Sequence, residues 1–265
     1  MGIVSGSIKV SRRAACWAIS LDRPEKANAL TAAMMEALAS IAREAGALEQ
    51  PPVVLLKSES PRAFCAGADI GDFGEGPEGI LRQEKALASL IHAFSTTRSP
   101  LIALARGRAS GAGAMLVALA DIVIAGPCLE ISAPEMQFGM YPVIVEAVLH
   151  SRLPPALSSQ LCMSGRSLSA GAAEQAGLVT EIVPGHDFDR EAQARVDFYL
   201  ARAFGLGVAR RARISGPPAR ALLERQQQVA PWMIENHAQA SVRSQIAHYL
   251  ARLRSRQPLA DSNPS

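Results

Sequence analysis

The chain has 265 residues with a formal net charge of +3; 49% of them are hydrophobic and 19% charged. That length and apolarity suffice for one large core or two small ones, and so small a net charge gives no footing for nucleic acid. No basic cluster is interleaved with aromatics and no uninterrupted apolar run is long enough for a bilayer, so neither nucleic acid nor a membrane is an expected partner.

The beginning, MGIVSGSIKV, lacks the apolar stretch of a secretory signal, which points to the cytoplasm. Residues 7–21 read as two strands around Ser11-Arg12-Arg13, followed by a polar break, DRPEKAN. Residues 31–47 read as a helix with Thr31 as N-cap, and PPVVLLKSE (51–59) as a buried strand. A glycine-rich loop is expected over 64–79 and a helix over 80–97, where apolar residues recur at helical spacing. SPLIALA (99–105) is a strand, GAGAMLVALA (111–120) a helix, and DIVIA (121–125) and CLEISA (128–133) are strands. Strands alternating with helices argue for an α/β architecture. From Pro142 helical patterns dominate, interrupted by one strand at LVTEIVP (178–184). After Asp187 only helices are expected, broken near Ser215–Pro218 and at Pro231, with a frayed tail at 257–265.

Cys16, Cys65, Cys128 and Cys162 are widely spaced, with no Cys-x-x-Cys and no histidine pair at ligand spacing. They read as small core residues or incidental thiols, and no metal site is expected. His92, His150, His186, His237 and His248 stand in helical or loop contexts with no evident partner and read as structural or surface groups.

The stretch ARGRASGAGAML (105–116) places Ser110, Gly111, Ala112 and Gly113 between an apolar strand and an apolar helix. A helix start leaves backbone N–H groups without partners, and small side chains let another atom approach them. Close packing of backbone on backbone needs the same residues. Ser110 lacks the G-x-S-x-G elbow of a nucleophile.

A second glycine-rich turn, FCAGAD (64–69), also follows a buried strand. With LDRPEKANAL (21–30), ISAPEMQFGMYP (131–142) and SGRSLSAGAAEQAGLVTEIVP (164–184), these blocks closely resemble those of the crotonase, or enoyl-CoA hydratase/isomerase, superfamily. Five blocks match in the family's order between about residues 7 and 200. The resemblance implies a spiral of ββα repeats over residues 1–200 and a C-terminal helical region over 201–265 that makes trimers, or hexamers as dimers of trimers. It implies an acyl-CoA thioester as substrate, with coenzyme A arriving as part of it and no permanently bound cofactor.

By the same resemblance, the N–H groups of Ala68 and Ala112 would hold an enolate oxygen and Glu135 would be the acid/base. Arg23, Lys26 and Ala27 would meet the coenzyme, and Ala66, Gly67, Asp69 and Ile70 would line its pantetheine and adenine. Asp69 is equally suited to capping the turn that follows. Hydratases of the family carry a second glutamate where this chain has Met115, here an expected apolar wall. A single carboxylate moves a proton between carbons more readily than it positions water, so isomerase- or hydratase-like chemistry is expected. Glu146 is a candidate replacement, against a surface or ion-paired role; its surroundings, YPVIVEAVLHSRLP, are similar to alicyclic dienoyl-CoA hydratases. The alternatives are a catalytically silent acyl-CoA binder, or a related CoA-thioester lyase, decarboxylase or hydrolase. Residues 231–253 carry apolar positions at helical spacing, as an intersubunit interface, a cover over a neighbouring site or a plain intramolecular helix needs.

Overall fold

The structure is a computed structural model, and it describes residues 2–5, 7–73, 77–183 and 187–256. The expected tail at 257–265, and His186, lie outside the described residues. The first strands, β1 (Gly2–Ser5), β2 (Ile8–Arg12) and β3 (Cys16–Leu21), form an antiparallel meander. The hairpin turn sits at 13–15, later than the expected Ser11–Arg13. Arg12 stays in the ladder opposite Trp17, with its guanidinium 4.8 Å from the indole. Helix α1 (Ala32–Ala47) starts where expected: Thr31 Oγ1 accepts from the Met34 N–H at 3.2 Å.

Three similar units follow. β4 (Val53–Ser58) and β5 (Ala63–Cys65) lead to α2 (Pro77–Thr96). β6 (Leu101–Ala105) and β7 (Arg108–Ser110) lead to α3 (Ala112–Leu119). β8 (Ile122–Ala125) and β9 (Glu130–Ser132) lead through a 3-10 turn at Pro134–Phe138 to α4 (Val143–His150). The first strand of each unit extends the main sheet and the second joins a smaller one. This is the ββα spiral, with its helical C-terminal region, that the sequence resemblance implies. α5 (Pro155–Ser164), β10 (Leu168–Ser169), α6 (Ala170–Gln175) and β11 (Glu181–Ile182) complete the sheets, ordered β1-β2-β3-β4-β6-β8-β11 and β10-β9-β7-β5. β6 and β8 are buried along their whole length, as parallel strands covered on both faces must be.

The described residues of the expected loop at 64–79 include the end of β5, a 3-10 turn at Ile70–Phe73 and the start of α2. Among the described residues of LVTEIVP, Glu181 and Ile182 form the strand, paired with Ile124 and Ala125, and Leu178 and Val179 are buried ahead of it. Four helices follow: α7 (Phe188–Leu200), α8 (Ala203–Ile214), α9 (Pro217–Ala238) and α10 (Ala240–Arg256). The break near 215–218 separates α8 from α9. The break expected at Pro231 is not found: α9 runs through it, and the chain turns instead at Gln239. Val229 and Met233, both buried, flank the proline and anchor the helix across it. α10 folds back on its own chain, where Tyr249 meets Phe138 edge-on at 4.4 Å and Val242 packs beside it.

Candidate active site

Three turns converge because their strands are neighbours. β5, β7 and β9 run parallel and adjacent, pairing Cys65 with Ala109 and Ser110 with Ser132. The turns leaving them, at 66–68, 111–112 and 133–135, therefore emerge on one edge of the small sheet. Gly113 is confined by close approach, since a Cβ there would collide with the Cys65 carbonyl. That contact seats the start of α3 against β5. Gly111 has φ +51° and leads into the helix with its own N–H bonded to Ser132 O at 2.9 Å.

Ala112 is the first residue of α3, with negative φ, and its N–H faces no intrahelical acceptor. Ala68 pairs with Leu30 through its neighbours only: Leu30 N donates to Gly67 O and Asp69 N to Leu30 O. Among the described residues neither Ala68 N–H nor Ala112 N–H has a hydrogen-bond acceptor. A Cβ on Gly67 would stand 3.7 Å from Ala112 N, so the two turns nearly touch. Both alanines line one cavity, and α3 directs its positive end there.

Glu135 lines the same cavity. Its Oε2 is shut off from solvent with no hydrogen-bond partner among the described residues. Burial pushes the carboxyl up to about 7, against the smaller opposing effects of a backbone hydrogen bond and the charge of His237. A Cβ on Gly111 would lie 2.5 Å from Glu135 Oε1, so a side chain there would both strain the φ of +51° and displace that carboxyl. Met115, 1% exposed, forms apolar wall with Phe138, Met140 and Ile144. Ser110, in contrast, does not line the cavity; its hydroxyl is 2.9 Å from that of Ser132.

The coenzyme candidates form one unit around the second turn. Arg23 Nη1 donates to Asp69 Oδ2 at 2.6 Å and to Ala29 O at 2.9 Å. The same Asp69 accepts from Gly71 N–H at 3.0 Å through Oδ1, the capping role foreseen for it. Ala27 O accepts from Ala66 N–H at 3.0 Å. Ala27 and Asn28 both have positive φ, a costly backbone held by Asn28, whose buried amide donates to Ser58 Oγ and to Phe64 O. Lys26 is exposed on this loop, and Ala66, Gly67 and Ile70 border the cavity.

Glu146 does not join Glu135. It accepts from Ser159 Oγ at 2.6 Å, in a depression it shares with His150 and Arg225, and after burial its charge helps push the Tyr141 hydroxyl up to about 12. The second carboxylate in the cavity is Glu84, on α2, and opposite it stands His237 of α9, with Nδ1 3.3 Å from Glu84 Oε1. The expectation of a partnerless His237 is therefore corrected. Sequence alone offered one signal for the pair: each acid or imidazole sits among apolar residues at helical spacing, Leu87 below Glu84 and Met233 above His237. Cys65 and Cys162 are buried, and burial pushes both thiols up to about 12, so they stay protonated core residues.

The enoyl-CoA hydratase/isomerase family model matches residues 11–204. The chain belongs to the enoyl-CoA hydratase/isomerase family. As a member of it, the chain is 31% identical over 195 residues to a probable enoyl-CoA hydratase of Mycobacterium tuberculosis, covering 71% of this chain and 73% of that one. It is 32% identical over 179 residues to the 2,3-dehydroadipyl-CoA hydratase of Escherichia coli, covering 66% and 68%. The fold matches the crystal structure of an enoyl-CoA hydratase/isomerase from Mycobacterium paratuberculosis with TM-score 0.83 at 21% identity, covering 92% of this chain and 98% of that one. An enoyl-CoA hydratase from Bacillus halodurans matches with TM-score 0.81 at 19% identity, covering 92% and 100%. No helix among the described residues is long and apolar enough to cross a membrane.

Proposed function

We propose that this chain is an enzyme acting on an acyl-CoA thioester by proton transfer at the carbons next to the carbonyl. One observation carries the reading: two N–H groups with no acceptor among the described residues share a cavity with a buried carboxyl whose Oε2 has no partner among them. The thioester oxygen would accept from Ala68 N–H and Ala112 N–H, which are fixed in place before charge develops on it. Glu135 would take a proton from one carbon or return one to it, and a carboxyl that titrates near 7 is suited to both directions. Exposed Lys26 would meet the coenzyme phosphates directly. Arg23 and Asp69, bonded to one another, would hold the loop that presents it. Coenzyme A enters as carrier of the acyl group, and no further cofactor takes part.

The test is a panel of enoyl-CoA substrates followed by conjugated-thioester absorbance and product mass. A gain of water marks hydration, and an unchanged mass with a moved double bond marks isomerisation. Glu135→Gln should abolish turnover while coenzyme A binding stays within about threefold, since the amide has the same shape and takes no proton. Wild-type turnover in that variant would remove Glu135 from the mechanism. Calorimetry with no coenzyme A binding to the wild-type protein would overturn the whole reading.

A further inference from the structure

With Met115 in the wall, the cavity lacks a second carboxylate beside Glu135 on the α3 side. A polar recess lies on its α2–α9 side instead. Gln83 and Glu84 of α2 and His237 of α9 all line the cavity, and the rest of its lining is mainly apolar. Gln83 is 3% exposed; its Nε2 donates to Asp72 Oδ2 at 2.7 Å, while its Oε1 is buried without a hydrogen-bond partner among the described residues. Glu84 and His237 side chains are each 11% exposed and 3.3 Å apart. Taking an imidazole and a carboxylate out of water is costly unless they pair, and such a pair facing substrate space is a candidate for proton transfer.

We propose that His237, oriented by Glu84, is the second proton-transfer group of this site, so that the chain adds water without a glutamate at position 115. The inference rests on the acyl-CoA reading above. The step balances as follows. Water oxygen bonds to the β-carbon of an enoyl-CoA as one of its protons passes to the His237 imidazole. The π electrons move to the thioester oxygen, held by Ala68 and Ala112. Protonated Glu135 then gives its proton to the α-carbon as the carbonyl re-forms. Solvent returns the proton from imidazolium to Glu135, for a net addition of one water. His237 acts on the water itself; Glu84 is a positioning residue that fixes the ring. The titratable groups lining the cavity around the imidazole are Glu84 from α2, Glu135 from the 3-10 turn, Tyr141 before α4 and Tyr249 from α10.

The experiment compares two reactions of the full chain. One is hydration of crotonyl-CoA. The other is deuterium uptake at the α-carbon of butyryl-CoA in D2O, read by mass. The exchange needs Glu135 and the two N–H groups only. His237→Gln should lower the ratio of hydration to exchange by about a hundredfold, the usual order for a lost acid/base. Glu84→Gln should lower hydration about tenfold with exchange unchanged, the order for a lost orienting partner, and Glu84→Asp should restore part of it. A hydration-to-exchange ratio within threefold of wild type in His237→Gln overturns the inference, as does a parallel fall of both rates, which marks a mere tie between α2 and α9. Wild-type protein that exchanges but never hydrates also overturns it and leaves the acyl-CoA reading intact. Nitrogen NMR of His237 in wild-type and Glu84→Gln protein gives the same answer if turnover is too slow to follow; the same ring tautomer in both overturns the role of Glu84. Failure of the parent reading looks different: Glu135→Gln exchanges at the wild-type rate.

Discussion

At the scale of single residues, the candidate site depends on atoms rather than residue types. Ala112 provides a position where one donor can be deleted cleanly. It is the first helical residue of α3, where proline is tolerated because its missing N–H has no helical acceptor. Ala112→Pro should therefore keep the fold and lower turnover by about a hundredfold, as expected for one lost oxyanion donor. Steady-state kinetics with a parallel melting curve checks both halves. Glu135 makes a prediction in pH. As a base it works ionised, so α-proton exchange should rise through a midpoint near 7. Stability should run the other way. The folded carboxyl titrates above its unfolded value of 4.5, so the folded state holds the extra proton, and stability is lost as pH rises from about 4.5 through about 7. Glu135→Gln removes that loss, so calorimetry should show it gaining more melting temperature over wild type at pH 8 than at pH 5. Ala68, Ala112 and Glu135, which the structure places around one cavity, were legible only through the family resemblance of the motifs that carry them. Glu84 and His237 were not, because a charged residue on an amphipathic helix looks the same facing solvent or facing a cavity until the helix is packed.

At the scale of elements, the long apolar strands of the main sheet could be read directly, and so could β9, inside CLEISA, whereas β5 and β7 could not. Those two are three residues long, too short for a period to show, yet the parallel pairing of β5, β7 and β9 is what gathers the three turns. Pro231 shows tertiary packing overriding a local rule. It lies exposed inside α9, where its ring displaces a helical hydrogen bond, and the helix persists because neighbouring positions are buried against the core. The cost is still present in the folded protein. Pro231→Ala should restore a donor toward the Gln227 carbonyl and stabilise the chain by about 1 kcal/mol or more, raising the melting temperature by about 3 °C. A melting temperature at or below that of wild type would show α9 to be broken at 231, as its sequence alone suggests.

At the scale of the whole molecule, the helical region bears on assembly. α10 and the end of α9 cover the chain's own cavity through Tyr249, Met233 and His237, while Trp232 of α9 stays 44% exposed. A group of large apolar side chains also lies open on α7 and α8. Phe204 is 86% exposed and Val208 46%, one turn apart on α8, and Phe198 of α7 is 49% exposed with Arg202 stacked 3.7 Å over its ring. A monomer has no use for a phenylalanine that open, while an interface core favours aromatic residues and arginine. We propose that this α7–α8 face joins subunits into the trimer, or dimer of trimers, that the family resemblance implies. Light scattering at micromolar concentration should give three or six times 28.0 kDa for the wild-type chain. The double variant Phe204→Glu, Val208→Glu should give 28.0 kDa while keeping its coenzyme A binding, because neither residue lines the cavity. Charged side chains are depleted from interface cores, and two carboxylates per copy would be repeated at every contact. A wild-type monomer would overturn the assembly itself. An oligomer that survives both substitutions would move the interface off α8 and leave the assembly standing.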